Sequence, residues 1–134
     1  MAEPGHASNL ISCAAVFIVS DIHRSVNFYR DQLGFEIEQI WGEPPSFAIA
    51  ETPNASIMLK QGIDPARRAP PAPNTDRVGG VWDVYVWVRN LDQICAELEQ
   101  RGTPYSGPDR QPYDCSEIIV TDPDGYLICF GFCP

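Results

Sequence analysis

Three of the side chains that could do chemistry here lie in one short run, Trp82-Asp-Val-Tyr-Val-Trp-Val88. Its β-branched and aromatic residues favour a strand, and a strand sends successive side chains to opposite faces. Val84, Val86 and Val88 then take one face, and Asp83, Tyr85 and Trp87 take the other. Two rings beside one acid could stack a planar group and attract a positive charge. Asp83 is also the candidate acid/base of the chain. Three further groups come from other strand-like runs: Met58, a soft and adaptable wall; Lys60, a lone base; and Cys129, a thiol. No histidine neighbours Cys129 by motif, so packing is its expected role rather than nucleophilic attack. His6 and His23 fall in the N-terminal tail and on the first helix. The five cysteines are odd in number and contain no CxxC, which predicts free buried thiols rather than a disulfide framework.

An internal repeat positions these residues. Cys13-Ala-Ala-Val-Phe-Ile-Val19 is a second run like Trp82–Val88. Each run leads into an amphipathic helix. In the first, Ile22, Val26, Tyr29 and Leu33 share a face, with Asp21 as N-cap and Gly34 as the stop. In the second, Leu91, Ile94 and Leu98 share a face between Asn90 and Gly102. The two N-caps stand 69 positions apart, half the chain. Shorter strands follow each helix, predicted at 35–40, 47–50 and 55–60, then at 103–105, 117–120 and 126–130. Asp122-Pro-Asp-Gly125 reads as the turn joining the last two, since the acidic ligands a calcium loop needs downstream are missing. The expected organisation is one domain, 1–134, with half-modules at 11–61 and 81–133. The proline-rich connector 62–80 between them is expected to be irregular, a loop over a site or local disorder.

Composition bounds the function. The chain has 134 residues and is 44% hydrophobic, enough for one core without a staple. Nine Lys and Arg against eighteen Asp and Glu give a net charge of −9, which disfavours nucleic acid and anionic membranes as partners. No apolar run is long enough to span a bilayer, and the first ten residues do not read as a signal peptide, so a cytoplasmic location is expected.

Val19-Ser-Asp-Ile-His-Arg-Ser-Val-Asn-Phe-Tyr-Arg-Asp-Gln-Leu-Gly-Phe35 resembles the first-helix signature of the vicinal oxygen chelate superfamily, which includes glyoxalases, extradiol dioxygenases and bleomycin-resistance proteins. Thr121-Asp-Pro-Asp-Gly-Tyr-Leu-Ile128 resembles its final hairpin. The resemblance implies an α+β fold of paired βαβββ modules forming a curved eight-stranded sheet around a cleft, helices outside, and a homodimer. It places metal ligands, typically His or Gln, Glu, His and Glu, on the first and last strand of each module. By position these are Ala14, Met58, Asp83 and Cys129, a set poorly suited to a metal. No metal and no cofactor are therefore expected. Val84-Tyr-Val-Trp-Val-Arg-Asn-Leu-Asp92 is similar to the V-W-V-R-G-L-D run of the bleomycin-resistance branch, with Asn90 where that branch has Gly. Trp87 matches the run directly and Tyr85 conservatively. The expected function is a small-molecule-binding protein sequestering a planar or cationic compound without metal. The expected binding residues are Asp83, Tyr85, Trp87, Met58, Cys129, Ala14 and Lys60. The alternative is a glyoxalase-like lyase or isomerase using Asp83.

Overall fold

The computed structural model describes residues 6–62 and 71–134. The first half runs β1 (Ala14–Val19), α1 (Ile22–Asn27), a π-helical continuation (Phe28–Gln32), β2 (Glu36–Trp41), β3 (Phe47–Glu51) and β4 (Ser56–Gln61). The second repeats the order with β5 (Val84–Trp87), α2 (Leu91–Arg101), β6 (Ser106–Arg110), β7 (Ser116–Thr121) and β8 (Leu127–Phe132).

Both helices start as their caps dictate. The Asp21 carboxylate accepts from the backbone N–H groups of His23 and Arg24 at 3.0 and 3.2 Å. The Asn90 side chain accepts from Gln93 N–H at 3.0 Å. These satisfy donors that the first helical turn leaves free. Helix α2 ends at Gly102, whose φ of 74° lies in the left-handed region that favours glycine.

The eight strands form two mixed sheets of four, ordered β1-β4-β3-β2 and β5-β8-β7-β6. In each, the first strand of the module pairs in parallel with the last, as Phe17 opposite Leu59 and Val86 opposite Phe130. Alternation sorts the faces as expected. Phe17, Val19, Ile57 and Leu59 from the first sheet and Ile118, Val120, Ile128 and Phe130 from the second are all buried, and all join one core with both helices.

The turn at 122–125 latches the halves together. Asp122 Oδ1 accepts from the backbone N–H groups of Asp124 and Tyr126 at 2.8 and 2.9 Å, while Oδ2 accepts from the Tyr29 hydroxyl at 2.8 Å. Burial lifts the Asp122 carboxyl above the usual carboxylate range, against the pull of these three donors. Tyr126 stacks on Phe17 with centroids 4.2 Å apart and donates to Ile18 O at 2.7 Å. Arg24 closes the latch on Asp124 at 3.1 Å.

Two expectations need correction. The strand predicted at 103–105 lies instead at Ser106–Arg110. Its Gly-Pro-Asp composition reads as a turn, but an exposed edge strand with a register irregularity tolerates proline. The cysteines are not all free, because Cys115 and Cys133 form a disulfide. Ser116 pairs with Phe132, so the β7–β8 ladder sets positions 115 and 133 opposite each other. That proximity belongs to register, which cysteine spacing does not show. Residues 63–70 of the expected loop over a site lie outside the described residues. The rest of the connector is tied down: Asn74 N–H donates to Asp83 Oδ1 at 2.8 Å, and Gly80 N–H to Thr75 Oγ1 at 2.8 Å.

Candidate functional site

With the helix sides of both sheets committed to one core, their other faces turn away from it. On the second sheet that face carries a connected set of polar and aromatic groups. Pairing aligns Tyr85 with Cys129 and Ile119 across β5, β8 and β7, and Trp87 with Gly131 and Glu117.

Gly131 shapes this face. A Cβ built there would overlap the hydroxyl and ring of Tyr85. The bare backbone instead lets the Tyr85 ring lie across β8 and reach β7. There its hydroxyl donates to Glu117 Oε2 at 2.7 Å. Tyr113, in the loop before β7, donates to the same oxygen at 2.6 Å. Glu117 is only 4% exposed, a carboxylate held under two phenols. Burial, then the Glu117 hydrogen bond and charge, push the Tyr85 hydroxyl well above its usual range. The hydrogen bond to Glu117, followed by desolvation, raises Tyr113 to about 12. Both phenols are therefore neutral donors at physiological pH. Burial, reinforced by the Glu117 charge, also raises the fully buried Cys129 thiol to about 12. Such a thiol packs and does not attack.

Two tryptophans flank the Tyr85 ring. Tyr85 sits 5.1 Å from Trp82 in an edge contact and 5.1 Å from Trp87, centroid to centroid. Trp87 is 74% exposed and Tyr113 54%. The disulfide lies alongside, with Cys133 Sγ 3.6 Å from the Tyr85 hydroxyl.

The predicted residues divide between the two sheets. Tyr85, Trp87 and Cys129 belong to the face just described. Ala14, Met58 and Lys60 lie on the outward face of the first sheet, where Met58 sits between Val16 and Ile49 in register. Val16 there is 60% exposed, and Lys60 Nζ lies 3.5 Å from Ser46 Oγ. Asp83 precedes β5 and has a different task. Its Oδ1 accepts from Asn74 N–H and its Oδ2 from Leu127 N–H, both at 2.8 Å, so the carboxylate ties the connector to the start of β8. Sequence reasoning missed Glu117 and Tyr113. The available signal was alternation along β7, which opposes Glu117 to the apolar pair Ile118 and Val120.

A model of the Glyoxalase/Bleomycin resistance protein/Dioxygenase superfamily matches residues 10–130. The chain belongs to that superfamily. Solved structures share the fold at low identity. TnmS3, an antibiotic-binding protein from Streptomyces sp. CB03234, is 22% identical with a TM-score of 0.65, covering 92% of this chain and 98% of that one. TioX from Micromonospora sp. ML1 is 17% identical with a TM-score of 0.68, covering 92% and 99%. A glyoxalase/bleomycin resistance protein/dioxygenase from Nocardioides is 21% identical with a TM-score of 0.64, covering 96% and 89%. The comparison with curated proteins finds no match.

The metal centre found in glyoxalase-superfamily enzymes does not fit the residues present at its positions. Ala14 offers no donor atom, and Met58 offers only a thioether. Both Asp83 oxygens already accept backbone hydrogen bonds, and the Cys129 thiol is held protonated by burial and by Glu117. Among the described residues no group of three or more His, Cys, Asp or Glu side chains is placed to hold a metal ion. No described helix is long and apolar enough to cross a membrane.

Proposed function

We propose that this glyoxalase-superfamily protein binds and sequesters a planar aromatic small molecule, without a metal, on the outward face of its second sheet. The observation that carries the reading is Trp87, a large apolar ring left 74% exposed yet packed at a tilt against Tyr85. A tryptophan that costs water contact without filling the core is typical of a recognition surface. The likeness to TnmS3, an antibiotic-binding protein, makes aromatic antibiotics the first compounds to test. Sequestration needs affinity and no catalytic group, which suits a site whose phenols and thiol all stay protonated. The lyase alternative would use Asp83, whose carboxylate is engaged in holding the backbone. A thermal-shift screen of aromatic antibiotics tests the proposal, because a ligand that binds only the native state raises Tm by mass action. Binders are expected to raise Tm and quench tryptophan fluorescence. A panel in which compounds raise Tm equally in wild type and Trp87→Ala would place binding elsewhere.

The same reading includes pairing of two copies in a cytoplasmic homodimer. Val16 and Trp87 are exposed on faces that turn away from the shared core, so a second copy would bring the first sheet of one chain over the second sheet of the other. Such a pair would enclose the cleft that the resemblance implies. Light scattering at micromolar concentration should give twice the 14.9 kDa chain mass. A monomer mass that persists with ligand bound would rule out the shared cleft.

A further inference from the structure

We propose that Glu117 makes the aromatic face selective for charge, so that the compound bound there carries a cationic nitrogen beside its planar ring. The inference rests on the reading of that face as a ligand site. Buried carboxylates are ordinarily paired with a cation or saturated by donors. Among the described residues none of the ion pairs involves Glu117. Its partners are neutral: two phenols, both donating to one oxygen, Oε2, and the protonated Cys129 thiol beside it. They spread the negative charge without cancelling it.

The charge reaches a ligand through the rings. A phenol that donates to a carboxylate gains electron density in its π system, and the Tyr85 ring stands 5.1 Å from both Trp82 and Trp87. Faces of electron-rich rings attract cations. The carboxylate beneath adds an attraction that solvent screens weakly, because Glu117 is nearly removed from water. An anionic compound would meet repulsion from the rings and from the carboxylate alike. The acid that alternation placed beside these rings, Asp83, gives both oxygens to backbone N–H groups at the end of the sheet. Glu117 is the buried charge of this face, whereas its register partner Asp109 on β6 is exposed and screened by solvent.

The test uses two dyes of one ring shape, N-methylacridinium and neutral acridine, titrated by tryptophan fluorescence at mildly alkaline pH. Wild-type protein is expected to bind the cation about tenfold more tightly than the neutral dye, the size of a partly desolvated cation–π contact. Glu117→Gln keeps an acceptor for both phenols and should bring the two affinities together, chiefly by weakening that for the cation. Tyr113→Phe keeps the carboxylate and should retain the preference. Equal binding of both dyes by the wild type overturns the proposal, as does a preference that survives in folded Glu117→Gln. The latter result would assign the preference to the diffuse net charge of −9. Should Glu117→Gln fail to fold, salt decides with the wild type: a buried charge keeps its preference at roughly 0.5 M salt, and a surface field loses it. If neither dye binds, the reading of the aromatic face as a ligand site fails, and this inference with it.

Discussion

Removing the bond between Cys115 and Cys133, by reduction or by Cys133→Ala, is expected to lower the free energy of unfolding by about 3 kcal/mol. The bond spans 18 positions and closes a loop that holds β7, the latching turn and β8. Without it the unfolded chain regains the freedom of that loop, and the native chain loses the fastening at the end of β8. Urea melts with and without reductant measure the effect, and Cys133→Ala should be insensitive to reductant. Thiol titration in denaturant supplies an independent count. Three thiols, from Cys13, Cys95 and Cys129, should react before reduction and five after. Five reactive thiols in protein never exposed to reductant, with melts that coincide, would overturn the prediction. A disulfide in a protein expected in the cytoplasm would also have to withstand reducing surroundings.

Trp87→Ala should separate binding from stability. The ring is 74% exposed, so its loss should cost well under the roughly 3–5 kcal/mol of truncating a buried aromatic. Phe17→Ala, at a 3% exposed ring stacked on Tyr126, provides that contrast within the same protein. Ligand affinity should fall by about 1–3 kcal/mol in Trp87→Ala, as for other exposed aromatic anchors. The measurement is a denaturant melt beside a binding isotherm for any compound found by thermal shift. A large loss of stability with unchanged affinity would make Trp87 a structural residue.

The repeat, both helix caps and the division of each sheet into a buried and an open face were legible in the sequence, because all follow from local chemistry. Asp21 and Asn90 cap helices wherever those helices go. Val86 and Trp87 take opposite sides of β5 in any sheet. Contacts across strands were not legible. Glu117 opens a strand-like run and looks like a solvated end, yet the Gly131 gap lets Tyr85 reach over β8 and bury it. Asp83 looked like a member of the binding face because its parity matches Tyr85 and Trp87. The strand begins one residue later, and the freed carboxylate turns to the N–H groups of Asn74 and Leu127. The disulfide was hidden for the same reason as Glu117, since the pairing of Ser116 with Phe132 creates it.

The shared core gives the repeat a thermodynamic meaning that its symmetry conceals. Phe17 and Tyr126 are 109 positions apart, yet their rings lie in contact, and Tyr29 reaches the turn of the other half through Asp122. Residues that share a partner do not contribute additively to stability. Although the chain reads as two copies of one motif, a change in either copy alters the energetic background of the other. The two halves constitute one cooperative unit, and neither can drift in sequence independently of its counterpart.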